Sequence, residues 1–258
     1  MAKLNTQPKR IGIGHGKTYL DRTHRPLQCL IFLLPLLALY QIGITLHPWI
    51  PRTSAEPIVI AFQLMLRFFA SVGVAGNYLT ALALVIMLLG WHFLRKDPWE
   101  FDPLLYMGML GECLLWSLPI VFFALVVAHG ATLDGQTSST ATSRQPWETQ
   151  AVLSIGAGIY EELLFRLILL TTLLFVFKDL LRISFGWSLV LAVVGSAVLF
   201  SLYHYLGTEP FTPQTFFFRT AAGIYFGGIF IFRGFGVDVG THVAYDLIAV
   251  YLQHAAYH

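Results

Sequence analysis

Long apolar runs, separated by short polar or proline-containing breaks, make up most of the chain after residue 26. A helical run of roughly 20 apolar residues is long enough to cross about 30 Å of hydrocarbon. The pattern predicts an all-α fold, a polytopic transmembrane helical bundle of about six to eight membrane helices. The predicted spans are 27–46, one or two within 58–94, 104–127, 151–177, 185–206, 215–232 and 237–252, with a polar loop at 130–148.

The run at 58–94 is too long for one ordinary crossing, and Arg67, Gly73, Gly76 and Asn77 interrupt it. We expect a half-length or interfacial helix followed by a full span, which together make one net crossing. Two crossings would reverse the direction of every later helix.

Composition places these runs in lipid. Hydrophobic residues make up 56% of the 258 residues and charged residues 12%, whereas a soluble domain carries about 25% charged residues. Because the chain has too little polar surface to cover itself in water, an ordinary soluble enzyme or binding module is excluded. Aromatic residues lie near the ends of many runs, where Trp and Tyr anchor helices at the membrane interface.

The lysine and arginine residues predict an orientation. With one net crossing at 58–94 they collect on the side of the basic segment 1–26, and only Arg52 and Arg144 fall on the other side. Cytoplasmic loops carry the excess of Lys and Arg. We therefore expect an integral, multi-pass protein of the plasma (inner) membrane, with a cytoplasmic tail at 1–26 and an extracytoplasmic C-terminus.

Several ionisable residues remain at membrane depth, where each charge costs about 2.5–3.5 kcal/mol at a helix centre. Such residues persist where they pair, line a wet cavity or carry chemistry. Most of them lie in the C-terminal half, where we expect the functional site. They are Arg67, Glu112, Glu161, Glu162, Arg166, His204, Arg219, His242 and Asp246.

The first polar motif is EELLFR, residues 161–166. A helix turns about 100° per residue, so Glu162 and Arg166 share a face at i, i+4 and can pair. Glu161 points well away from Arg166 and stays available as a general base. A structural ion-pair network or a helix-packing device is the alternative interpretation.

Two further i, i+4 pairs follow, in FSLYH (200–204) and HVAYD (242–246). Phe200 can wall one side of the His204 imidazole, and Asp246 can orient His242 or pair with it. Taken alone, each pair also fits a structural histidine.

Glu, His and His together are residue types that activate a water molecule. In a metal-free mechanism, Glu161 and His204 take the proton from water while His242 with Asp246 stabilises the tetrahedral oxyanion. In a metal-dependent mechanism, Glu161, His204 and His242 hold Zn²⁺, which acidifies its bound water.

In this order, the three motifs resemble the signature E-E-x-x-x-R, F-x-x-x-H and H-x-x-x-N/D of the CPBP (CAAX protease and bacteriocin-processing) family of intramembrane glutamic endopeptidases, which is related to the type II CAAX prenyl endopeptidases. The resemblance covers about residues 150–250. It implies a catalytic core at 150–258, with a conical active-site cavity in this C-terminal half, behind N-terminal membrane helices and loops at 27–149.

The resemblance implies that Glu161 is the water-activating base, His204 its partner, and His242 with Asp246 the oxyanion site. Supporting roles fall to Glu162, Arg166 and Phe200. The related prenyl endopeptidases are expected to carry Asn where this chain has Asp246. Because Asp donates a hydrogen bond only when protonated, an orienting role toward His242 is the alternative. No cofactor is expected, with Zn²⁺ as the alternative.

We expect hydrolysis of a peptide bond in a membrane-anchored, lipidated or hydrophobic polypeptide at the lipid bilayer, and no nucleic-acid partner. A non-catalytic immunity or scaffold protein and a transporter are the alternatives, since intramembrane Glu, Arg and His also mark ion pathways.

One geometric condition must hold for His204 and His242 to share a site. His204 is predicted near the end of its helix and His242 near the start of its own, on opposite sides of the membrane, so at least one helix must extend for the two to meet.

Overall fold

The computed structural model describes residues 18–46, 59–74, 76, 78–133, 146–207 and 209–257. Within these ranges the secondary structure is helical and contains no strand, which confirms the predicted all-α fold. The α-helices are α1 Tyr19–Thr23, α2 Pro26–Leu46, α3 Ile60–Ser71, α4 Leu79–Arg95, α5 Pro103–Leu133, α6 Trp147–Glu162, α7 Thr171–Phe175, α8 Phe185–Tyr203, α9 Pro213–Arg233 and α10 Phe235–Tyr257.

Four of the described helices are long and apolar enough to cross a membrane, and α3 and α4 are shorter apolar helices. The number of membrane helices, six to eight, stays a prediction. The four long apolar helices are Pro26–Leu46, Pro103–His129, Phe185–Leu206 and Pro213–Arg233.

The long run at 58–94 forms two helices, as predicted, with the break between Ser71 and Leu79. The second helix, α4, has 17 residues and is shorter than the full span we expected. Gly73 has φ of 82°, a left-handed conformation that glycine adopts without strain. Whether this region crosses once or twice stays a prediction.

The predicted polar loop at 130–148 is too wide at both ends. Helix α5 continues to Leu133 and α6 already begins at Trp147, while residues 134–145 lie outside the described part. Apolar Val126 and Val127 extend α5 into the Ala and Gly residues that follow, and Pro146 precedes the first turn of α6.

Helices α6 and α7 belong to one helical stretch from Trp147 to Leu180, longer than the predicted 151–177. Two π-helical segments, Leu163–Leu170 and Val176–Leu180, interrupt its α-helical pattern while the φ and ψ angles at the junctions stay helical. Single π-helical turns often occur at functional sites. The spacing of apolar residues does not predict this change of pitch, which begins directly after Glu162.

Part of the predicted basic tail is folded against the helices. Residues Tyr19–Thr23 form α1, and Arg22 Nη1 lies 2.9 Å from Asp102 Oδ2 in the connection between α4 and α5. Arg25 pairs with Glu100 in the same connection at 3.0 Å. Residues 1–17 lie outside the described part.

Helix α10 packs against α2, α5, α6 and α9, and α8 packs along α9. Small residues allow these close approaches. A Cβ built on Gly158 of α6 would lie 2.5 Å from Val243 Cγ2 of α10, and one on Gly223 of α9 would lie 2.9 Å from Ala197 of α8. Close contact between membrane helices is typical where small residues line the interface.

The connection between α9 and α10 is a single residue, Gly234, with φ of 85°. This φ favours glycine, because a Cβ in the left-handed region meets the backbone. A Cβ there would also lie 3.0 Å from Nδ1 of His24. The tight turn places α10 directly beside α9 and thereby fixes where along α9 the polar residues of α10 lie.

Candidate active site

The two adjacent glutamates at the end of α6 face helix α10 in the interior of the protein. Glu161 is 6% exposed, Glu162 is 0% exposed, and His242 of α10 is 5% exposed. Gly158, one turn before Glu162, allows the two helices to approach closely, since a Cβ there would lie 3.0 Å from the backbone nitrogen of Val243. The structure therefore turns these ionisable side chains away from the lipid-facing surface.

Glu162 interacts with two nitrogen-bearing side chains, one through each carboxylate oxygen. Arg166 Nε lies 2.9 Å from Oε2, at the predicted i, i+4 spacing. His242 Nδ1 lies 2.6 Å from Oε1. Because Arg166 is only 1% exposed, its charge needs a buried counter-ion. Glu162 supplies that counter-ion and links α6 to α10.

The guanidinium of Arg166 lies between two phenyl rings. Its Cζ is 4.5 Å from the centre of the Phe200 ring and 5.7 Å from that of Phe226. Nη2 donates to the carbonyl oxygen of Gly223 at 3.5 Å. Cation–π contacts are stronger when the cation is removed from water. Phe200 therefore supports Arg166 as well as His204, the residue that it was predicted to contact.

Glu161 points toward helices α8 and α10. Its Oε1 accepts a hydrogen bond from the hydroxyl of Tyr203, and its Oε2 lies 3.9 Å from Nε2 of His242. Glu162, rather than Glu161, pairs with the buried arginine. This is the division of roles between the two acids that the motif predicts.

His242 is held on three sides. Its ring stacks on Phe226 with centroids 4.6 Å apart and an interplanar angle of 14°. Nδ1 bonds to Glu162, so Nε2 is the nitrogen that faces Glu161 and also Asp246, whose Oδ2 is 3.7 Å away. Asp246 lies one turn after His242 and is partly buried.

His204 and His242 share Phe200 as a neighbour. The Phe200 ring centre lies 5.0 Å from that of His204 and 6.4 Å from that of His242. A short 3₁₀ turn, His204–Leu206, extends the helix beyond Tyr203, and α10 begins at Phe235, earlier than predicted. The 3₁₀ turn ends at Leu206, where that span was predicted to end, so α10 alone extends beyond its predicted range, which meets the condition that at least one helix extends.

Residues 144–248 match the family model described as type II CAAX prenyl endopeptidase Rce1-like. The chain contains an Rce1-like domain. The matched segment includes all three motifs and confirms the resemblance to the CAAX protease family. No curated protein and no solved structure matches the chain. Together with the long apolar helices, the match indicates an integral membrane protein that is similar to CAAX-type peptidases over residues 144–248.

Two further polar residues of the Rce1-like domain join the cluster and were not predicted. Tyr203 donates to Glu161, and only its position beside His204 could have drawn attention to it. Asp238 is fully buried and interacts electrostatically with Glu162 and Arg166. It lies four residues before His242, so the same i, i+4 rule would have placed both on one face.

The described part of the Rce1-like domain contains no group of three or more His, Cys, Asp or Glu side chains arranged to hold a metal ion. Zinc binding by Glu161, His204 and His242 stays a prediction. Nδ1 of His242 is already engaged by Glu162, which leaves Nε2 as the nitrogen able to meet an ion.

Of the other ionisable residues at membrane depth, Arg219 interacts electrostatically with His204 and Tyr203 of the cluster, whereas Glu112 and Arg67 lie outside it. Glu112 of α5 binds Arg233 at the end of α9 and accepts a hydrogen bond from Tyr19 at 2.7 Å. Arg219 pairs with Glu209 at 2.8 Å. Arg67 is exposed on α3. The Glu112 and Arg219 pairs are contacts between elements that residue spacing alone does not reveal.

Proposed function

We propose that the Rce1-like domain makes this chain an endopeptidase that uses Glu161 to activate the attacking water within the membrane. The different contacts of the two glutamates are the main support for this proposal. Glu162 satisfies Arg166 and Nδ1 of His242, whereas Glu161 is buried with one oxygen facing Nε2 of His242 at 3.9 Å. That separation is longer than a direct hydrogen bond, so this oxygen is not committed to the histidine.

In the proposed reaction, a proton of water passes to Glu161 as the water oxygen bonds to the carbonyl carbon of the substrate. The resulting tetrahedral intermediate carries an oxyanion. The carbon–nitrogen bond then breaks as Glu161 returns the proton to the leaving nitrogen. The products are one new carboxylate and one new amine terminus.

His204 is the proposed partner of Glu161 in holding the water. Its Nδ1 lies 2.8 Å from the carbonyl oxygen of Phe200. A carbonyl oxygen only accepts, so Nδ1 carries the hydrogen and Nε2 of the neutral ring is an acceptor. An acceptor at that position can take a hydrogen bond from the water that Glu161 deprotonates.

His242 is the proposed oxyanion donor. In this role the ring is doubly protonated, with Nδ1–H directed to Glu162 and Nε2–H on the side of Glu161, and the positions of both nitrogens support it. Asp246 lies 3.7 Å from the same nitrogen, which supports an orienting role for its carboxylate rather than donation to the oxyanion. Hydrogen-bond donors fixed before the reaction stabilise the developing charge without reorganisation.

The proposed substrate is a membrane-anchored polypeptide, either lipidated or held by an apolar segment. Of the helices that contribute to the site, α8 and α9 are long and apolar enough to cross a membrane. A peptide bond next to a membrane anchor therefore reaches the depth of Glu161 more easily than one in a soluble protein.

The proposed function is tested by comparing protein termini in cells that carry the wild-type chain or Glu161→Gln as their only copy. We expect a set of membrane-protein termini to disappear in Glu161→Gln, with the variant present in the membrane at wild-type abundance. Glu148→Gln, an exposed position on the same helix, is the matched control and keeps those termini. Identical termini in all three strains would support a scaffold or transporter instead.

Metal dependence is tested on the purified chain. Cleavage that persists after chelation supports the metal-free mechanism. Cleavage that is lost with the chelator and restored by Zn²⁺ supports the zinc-dependent version of the same protease.

A further inference from the structure

We infer that Tyr203 positions Glu161 for water activation, an inference that rests on the proposed function. The Tyr203 hydroxyl donates to Oε1 of Glu161 across the contact between α8 and α6. Tyr203 is 6% exposed, so the bond lies inside the protein.

The hydrogen bond selects which oxygen of Glu161 is available. The last torsion of a glutamate side chain has a broad energy profile, so packing alone leaves the carboxylate free to rotate. Holding Oε1 at Tyr203 keeps Oε2 on the side of His242, 3.9 Å from Nε2. Tyr203 therefore sets the direction in which the proposed base faces.

The Tyr203 ring is itself fixed. Its centre lies 4.8 Å from that of Phe165 and 4.4 Å from that of His204, in tilted and edge contacts. Helix α8 is tied to the same π-helical segment by Ser196, whose Oγ donates to the carbonyl oxygen of Phe165 at 2.7 Å. A ring with few torsions, packed on both sides, holds its hydroxyl in one place.

Tyr203 also joins the two residues that share the water in the proposed reaction. It bonds to Glu161 through its hydroxyl and contacts His204 through its ring. A displacement of about 1 Å at a reacting group can cost about a hundredfold in rate. Loss of the hydroxyl should therefore slow the chemical step while substrate binding stays unchanged.

The test uses the full chain in liposomes with two quenched fluorescent peptides. One carries a farnesylated cysteine and the other a single apolar membrane-spanning segment. For the peptide that wild type cleaves and Glu161→Gln does not, Tyr203→Phe should lower kcat about 10- to 100-fold, with KM within about twofold. Tyr203→4-aminophenylalanine keeps a weaker donor and should restore part of that loss, which a purely structural role would not require.

Tyr205→Phe is the matched control. It removes a hydroxyl two residues away that lies 2.8 Å from Oγ1 of Thr215, and it should leave kcat unchanged. If Glu161→Gln is inactive and Tyr203→Phe keeps the full kcat, the positioning role of Tyr203 is overturned while the proposed function stands. A loss confined to KM, or equal kcat in the phenylalanine and 4-aminophenylalanine variants, would overturn that role as well. If neither peptide shows Glu161-dependent cleavage, the proposed function fails, and the role of Tyr203 fails with it.

Discussion

Nδ1 of His242 donates a hydrogen bond to Oε1 of Glu162 at 2.6 Å, although 80 positions separate the two residues in the chain. The bond leaves only Nε2 of His242 to face Glu161. It also places the Glu162–Arg166 ion pair directly behind the histidine. The Glu162–Arg166 pair, which residue spacing predicts as a contact within one helix, therefore also supports His242 of another helix.

Glu162→Gln should reduce both stability and activity. The substitution leaves Arg166 buried without an anion, and breaking a buried pair in this way costs about 3–5 kcal/mol. Thermal unfolding of the purified chain in detergent measures the loss. Glu161→Gln should change the melting temperature much less, because Glu161 is not the partner of Arg166. Equal melting temperatures for wild type and Glu162→Gln would contradict the role of this pair.

Arg166→Lys should not substitute for arginine, although the charge is kept. The planar guanidinium lies between the rings of Phe200 and Phe226 and also reaches Gly223. A lysine has neither the planar guanidinium nor its several fixed donors. The free energy of unfolding should therefore fall by about 1–3 kcal/mol, the cost of leaving buried polar groups unpaired. The matched control is Arg95→Lys, which changes a partly exposed ion pair and should unfold like wild type. Equal unfolding of the Arg166→Lys and Arg95→Lys chains would contradict the need for a guanidinium.

Gly158→Ala should push α6 away from α10. The added Cβ would lie 2.5 Å from Val243 Cγ2 and 3.0 Å from the Val243 backbone nitrogen, and overpacking costs about 1–3 kcal/mol. Adding Val243→Ala should recover part of the loss, because it removes the side-chain contact but not the backbone one. Gly90→Ala, which meets nothing within 4 Å, is the control. A Gly158→Ala chain as stable and active as the Gly90→Ala chain would contradict this packing.

The contact between α1 and the start of α5 should weaken in acid. The side-chain hydrogen bond from Arg22 holds the pKa of Asp102 below its ordinary value. A depressed pKa in the folded state stabilises the fold above the ordinary value of about 4, and this contribution disappears as the pH falls through the lower, folded value. Asp102→Asn should therefore melt slightly below wild type at pH 6, with the difference closing near pH 3. A difference that grows toward pH 3 would contradict the assignment.

The apolar runs predicted most of the helices because their length and composition are local properties. The bounds of α2 and α9 lie within a few residues of prediction. The 58–94 run showed its break through Gly73, whose φ of 82° is a backbone property that glycine signals directly. The end of α5 and the start of α6 were missed because residues there that were assigned to a loop, such as Ala131 and Glu148, are good helix formers.

The site could be predicted only as far as its i, i+4 spacings reach. Glu162 with Arg166 and His242 with Asp246 are pairs within one helix, and both occur. The bond from His242 to Glu162, the hydroxyl of Tyr203 on Glu161 and the burial of Asp238 depend on how α6, α8 and α10 pack. Those contacts follow from close approaches at residues such as Gly158 and Gly223, which no single-helix pattern contains.

The cleavage rate of Glu161→Gln against wild type, for the same membrane-anchored peptide in liposomes, tests the central claim most directly. Removing a general base costs about 10²- to 10⁴-fold in rate. We expect a loss in that range from a Glu161→Gln chain that is still folded at the assay temperature, while Glu148→Gln cleaves normally. Cleavage by Glu161→Gln at the wild-type rate would contradict water activation by this residue.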